Sequence, residues 1–187
     1  VRGRGTSEGS FALLEQEAED GADAVAWAAA LLGSTGKVGM YGFSYQGVAQ
    51  MLAAAAGAPA LAAIAPAMIG WDLRQDWAYW NGAFCLAANL SWAVQIAAQE
   101  ARRCGDAEAF AELAEAARGL TLGRTHHARP DILHRYAHLV PHYERWLSAD
   151  AADPYWSRIS PAAHAATVPT TVCTSCRSSC SSPSTIG

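Results

Sequence analysis

From position 38 to position 71 the chain carries no charged side chain. An uncharged stretch of that length has two homes, a bilayer or the interior of a folded domain. Gly57, Pro59 and Pro66 interrupt it, and alanine, its main component, drives insertion poorly. The interior is therefore the better reading, and no membrane span is expected. Within it, 37–43 reads as a short buried strand, 45–56 as a buried helix, and 61–66 as a second apolar strand closed by proline. Ahead of it, Ala22, Val25, Ala26, Ala29 and Leu32 recur at helical spacing across 13–32, with acids in the first half, until Gly33 stops the helix. This alternation is the pattern of a parallel sheet with crossover helices, an α/β fold.

From about Gly70 the composition changes. Five of the seven tryptophans fall between Trp71 and Trp146, helical stretches cover 84–103 and 107–118, and no strand is evident, so a helical insertion over the sheet is expected. The segment "DPYWSRISPAAHAATVPTTV" reads as a return to loop and strand, and beyond Val172 "CTSCRSSCSSPSTIG" follows neither period. The expected organisation is a first part of the core over 1–70, a cap over 71–150, a return to the core over 151–172, and an irregular Ser/Cys-rich tail over 173–187.

A chain of 187 residues, 51% hydrophobic, buries one substantial core. A net charge of -4 without a basic run argues against nucleic acid as a partner. The polar opening "VRGRGTSEGS" does not look like a signal peptide, and five cysteines, three crowded near the end, make no disulfide framework, so a cytoplasmic protein is expected. The oligomeric state is not legible.

One serine, Ser44, stands where the first strand should turn into the buried helix. It is either a helix cap or a nucleophile. A cap hydroxyl accepts a bond from the first amides of its helix and asks nothing of its neighbours. A catalytic serine occupies a sharp, strained turn beyond the carboxyl end of a strand, with small residues beside it so that strand and helix approach closely. Gly42 and Gly47 meet that second requirement. Tyr45, as the first helical residue, would then aim its backbone amide and the helix dipole at a developing oxyanion.

The usual elbow is GxSxG, whereas this chain reads "GFSYQG", with the second glycine one place later. The form GxSYxG resembles the CocE/NonD serine hydrolases, a group of acyl esterases and Xaa-Pro dipeptidyl-peptidases. Other segments resemble that family in the same order: "RGRGTSEGSF", "DGADAVAWAAAL", "AIAPAMIGWDL" and "DPYWSRISPAAHAATVPT". The resemblance implies an α/β-hydrolase core, partial here, with a helical cap insertion. It implies an ester or acyl-peptide substrate, an acyl-enzyme on Ser44, and no cofactor or metal. It also implies an acyl pocket lined by cap aromatics, to which Trp77, Trp80 and Trp92 correspond. Each of these indoles has an equally good reading as packing for the cap's own core.

The resemblance implies a triad acid soon after the cap and a later histidine, yet 173–182 contains no acid. One expectation is that the reading frame slips after about Val172 and returns before Pro183. Another is that the family's second oxyanion donor lies upstream of Val1, so that this chain alone is an inactive or nearly inactive fragment. A non-catalytic binding module retaining the fold is the alternative of a different class. His134 and His138 in "HRYAHLVPH" stand one helical turn apart, but Pro141 breaks the helix before His142 and no acidic partner accompanies them. His126, His127 and His164, and Asp72 and Asp76, carry no assigned role. "GSTGK" lacks the first glycine and the hydroxyl of a phosphate loop, and the lone Cys173–Cys176 pair is a weak zinc signal.

Overall fold

The computed structural model describes residues 1–121 and 127–169. Along the chain run α1 (Glu17–Ala29), β1 (Val38–Phe43), α2 (Tyr45–Ala55), β2 (Leu61–Ala67), a π-helical turn (Arg74–Ala78), β3 (Tyr79–Trp80) and β4 (Ala83–Phe84). Then follow α3 (Leu86–Arg103), α4 (Ala107–Thr121), α5 (Asp131–Arg135), a 3-10 turn (Ala137–Leu139), α6 (Pro141–Ser148), α7 (Pro154–Ile159) and α8 (Pro161–His164). Two compact units result. One joins Val1–Leu13 to Arg74–Asp153, and the other joins Leu14–Leu73 to the described residues from Pro154 onward.

In the second of these units β1 and β2 pair in parallel, from Val38 opposite Leu61 to Phe43 opposite Ala67, with one irregularity after Val38. Parallel pairing needs a crossover, and α2 supplies it. Its Val48, Met51, Leu52, Ala53 and Ala54 are all buried. Val25 of α1, Met51, Ala54, Ala58, Leu61 and Ile64 form one core cluster, against which Val38, Met40, Ile69 and Val168 pack. The uncharged segment 38–71 thus resolves into strand, helix and strand. No helix of the described residues is long and apolar enough to cross a membrane.

Burial along β1 alternates, and this corrects the expectation of a fully buried strand. Val38, Met40 and Gly42 face the helices, while Tyr41 is 89% exposed and Phe43 62% exposed. The described helices in contact with this sheet lie against its other face, and among the described residues the Tyr41 face stays open.

The return segment is a second correction. Its first part forms α7 and α8 instead of loop, because Pro154 and Pro161 sit at helix starts, where the missing amide hydrogen costs nothing. The side-chain oxygen of Ser160, between them, accepts the amide of Leu73 at 2.9 Å, and Ala162 donates its amide to Trp71 O at 2.9 Å. The expected strand at 168–172 lies mostly, and the tail at 173–187 wholly, outside the described residues.

In the first unit, α3 buries Leu90, Ala93, Val94, Ile96, Ala97 and Ala101, and α4 buries Ala109 and Leu113. The Asp106 carboxylate caps α4 by accepting the Ala109 amide at 2.9 Å. The opening loop folds back through Gly3, whose amide donates to Glu8 O. Arg4 lies over the Phe11 ring and bonds Gln99 and Glu100 on α3. A short antiparallel hairpin, β3 with β4, appears where no strand was expected. Asn81 and Gly82 form its two-residue turn, both with positive φ (49° and 81°), the combination a type I′ turn requires.

Candidate active site

The turn between β1 and α2 is built from its backbone upward. Ser44 has φ 56° and ψ -129°, a left-handed conformation that costs a non-glycine residue about 1–3 kcal/mol. Its hydroxyl makes no capping bond to α2. Ser44 therefore does not cap α2, since a capping serine adopts extended backbone and spends its oxygen on the helix. Instead the backbone of Ser44 is held on both sides: its amide donates to Ala67 O at 2.9 Å, and its carbonyl accepts the amides of Gly47 and Val48 at 2.9 and 3.1 Å.

The flanking glycines are sterically required. Gly42 has φ 149°, and a Cβ there would sit 2.9 Å from Gln46 Cβ. A Cβ on Gly47 would come within 2.4 Å of Ile69 Cγ2 and 3.2 Å of Ala67 O, so α2 crosses the end of β2 at a distance only glycine permits.

Tyr45 opens α2, and the first amides of a helix point out of its N-terminus. The phenol of Tyr45 donates to the carboxylate of Glu17, the first residue of α1. Glu17 is buried, and burial pushes its carboxyl above the usual carboxylate range, against the bond from Tyr45 and the Gln16 amide. Gln50, one turn and a half further along α2, is also buried and reaches back to the turn.

The aromatic residues belong to the other unit. Trp77 and Trp92 pack with ring centres 5.1 Å apart and planes tilted by 32°, and Trp146, only 1% exposed, meets Trp77 edge-on at 6.0 Å. His142 closes the group, 5.8 Å from Trp146 and 6.1 Å from Trp92. Burial among these rings, with the Arg4 charge as a smaller cause, lowers its imidazole to about 4. Trp80 does not join them; it lies on β3 and is 66% exposed.

The family model of the X-Pro dipeptidyl-peptidases (S15 family) matches residues 1–175. This chain belongs to that family. Among curated relatives the S15 chain is similar to the cocaine esterase of Rhodococcus sp. (strain MB1 Bresler), 39% identical over 97 residues. That match covers 51% of this chain and 17% of the relative, so the S15 chain spans a small part of the relative's length. Both names denote hydrolases, and the family implies an α/β-hydrolase-like fold.

The remaining polar candidates of the S15 chain are dispersed. His134 lies in the last turn of α5 and His138 in the following 3-10 turn, so they do not share one regular helix as their spacing had suggested. Tyr136 leaves helical geometry between them. The His164 ring bonds Arg158 O at 3.0 Å, and His126 lies outside the described residues. Among the described residues no three His, Cys, Asp or Glu side chains gather as a metal site would require. Two residues at the turn went unremarked in the sequence, Glu17 and Gln50. Glu17 looks like one acid of a helix start, and Gln50 is one of two glutamines in an uncharged run, which was its one available signal.

Proposed function

We propose that this chain carries the nucleophile elbow of a serine hydrolase that cleaves an ester or amide acyl bond. The observation that carries the reading is the backbone of Ser44, strained, held on both sides, and with its hydroxyl unspent on the helix. In this reading Ser44 Oγ bonds to the acyl carbon, and the carbonyl electron pair moves to the oxygen, which the Tyr45 amide stabilises. The leaving alcohol or amine departs with a proton, and water then cleaves the acyl-enzyme. Trp77, Trp80 and Trp92 are assigned to the acyl group by resemblance. The organisation proposed is a partial α/β-hydrolase core over 1–70 and 151–172 with a cap over 71–150.

A hydroxyl is a poor nucleophile without a base, and the resemblance assigns no residue of 1–187 that role. Turnover by this chain alone is therefore proposed to be weak or absent. The family description favours an Xaa-Pro peptide substrate and the relative's name favours an ester. The test is covalent labelling with a fluorophosphonate probe, mapped by peptide mass spectrometry, beside hydrolysis of p-nitrophenyl acetate and alanyl-prolyl-p-nitroanilide. Label on Ser44 of the folded chain, lost on unfolding and in Ser44→Ala, supports the reading. Label no faster than in the unfolded chain points to a binding module, and brisk Ser44-dependent turnover overturns the proposed weakness.

A further inference from the structure

We infer that Gln50 is a positioning residue for the turn at Ser44, holding the strained backbone through the residues on both of its flanks. The carboxamide of Gln50 is 1% exposed and uses both of its donors. Nε2 donates to Gly42 O at 3.3 Å and to Gln46 O at 3.1 Å, and Oε1 accepts the Ala65 amide at 3.1 Å. Two carbonyls on one side and an amide hydrogen on the other admit one orientation of the group, so the side chain is fixed as well as buried.

The placement of these three partners is what gives Gln50 its role. Gly42 lies two residues before Ser44 and Gln46 two residues after it. Ala65 lies on β2, opposite Tyr41. Beside it, Pro66 stands opposite Gly42. The Gln50 side chain supplies a donor to Gly42 at that place. Both flanks of Ser44 are thereby tied to one rigid group, and a strained residue persists only where its surroundings over-determine it.

The consequence for catalysis rests on the hydrolase reading of Ser44, whereas the hold on the backbone does not. The experiment separates the two with the full chain and the variants Gln50→Met, which keeps length without hydrogen bonds, and Gln50→Glu, whose carboxylate would face two carbonyl oxygens. Amide hydrogen exchange is followed at Ser44, Gly47 and Val48, with Val25 of α1 as the reference for whole-unit opening. The expected result is exchange at the turn faster by about ten-fold in Gln50→Met and by more in Gln50→Glu, with Val25 unchanged. Fluorophosphonate labelling of Ser44 should slow by a similar factor at an unchanged half-saturating probe concentration. Turn amides exchanging within two-fold of the unaltered chain in both variants would overturn the inference. So would acceleration shared equally by Val25 in both, which would make Gln50 an ordinary core residue. Absence of Ser44 labelling in the unaltered chain would count against the hydrolase reading and leave the exchange result to decide the role of Gln50.

Discussion

The phenol of Tyr45 donates to the carboxylate of Glu17, joining the first residue of α2 to the first residue of α1. The residue beside Ser44 is thus anchored by its side chain as well as by its helix. Burial raises the Glu17 carboxyl above its value in an unfolded chain, so the folded state holds that proton more tightly. Its contribution to stability is complete below the ordinary carboxylate range and is lost as pH rises through the raised folded value. Glu17→Gln keeps an acceptor for Tyr45 and removes the ionisation. Thermal melts should show the variant more stable than the unaltered chain at pH 7 and equal to it near pH 4. A variant that melts lower at pH 7 would show that the ionised carboxylate stabilises the pair.

His142 behaves in the opposite sense. Its imidazole is lowered to about 4, so the unfolded chain takes up the proton first as pH falls. Stability is full above the ordinary histidine value of about 6.5 and is lost between there and about 4. The loss should approach about 1 kcal/mol per pH unit within that window. Denaturant melts followed by tryptophan fluorescence should show this slope, and His142→Phe, which still fills the space beside Trp92 and Trp146, should remove it. An identical slope in the variant would assign the acid sensitivity to other groups.

Ser44→Gly should raise stability while abolishing any acyl transfer. Glycine adopts positive φ without a Cβ penalty, and relief of the Ser44 backbone outweighs the added freedom of the unfolded chain by about 1 kcal/mol. Urea melts of the variant and the unaltered chain measure the difference. A less stable glycine variant would mean that the hydroxyl, and not the backbone, carries the local energy.

The tryptophans separate into two kinds by burial. Trp146→Ala removes a side chain 1% exposed and in contact with two other indoles and His142, and should cost about 3–5 kcal/mol. Trp80→Ala removes one that is 66% exposed and should stay within about 0.5 kcal/mol of the unaltered chain. If Trp80 meets the acyl group, its removal will slow labelling of Ser44 by a long-chain phosphonate and leave a short-chain one unaffected. Equal effects on both probes would take Trp80 out of the acyl site.

Much of the parallel βα unit was legible because its signals are local. An uncharged run, a glycine on each side of Ser44 and a proline at the strand end each state a backbone requirement in one or two residues. The helices α7 and α8 were misread because aromatic and small residues suit either state, and the deciding signal was two prolines at helix starts. The β3–β4 hairpin was overlooked although Asn81-Gly82 is a strong turn pair, since its strands are two residues long and show no period. At the turn itself, Ser44 and Tyr45 stood out by spacing. Glu17 and Gln50 did not, because the partners that tie them to the turn come mainly from other elements: a helix start for Glu17, and backbone atoms of two strands for Gln50.

The open face of the β1–β2 pair, with Tyr41, Phe43 and Met68 outward, bears on how the chain must be handled. A greasy, flat surface beside strand edges offers two copies of the chain a place to meet. Refolding slows only with the chain's own barrier, whereas encounters between such faces accelerate with the square of concentration. Dilution during recovery therefore favours the native form, whereas high concentration favours encounters through this face.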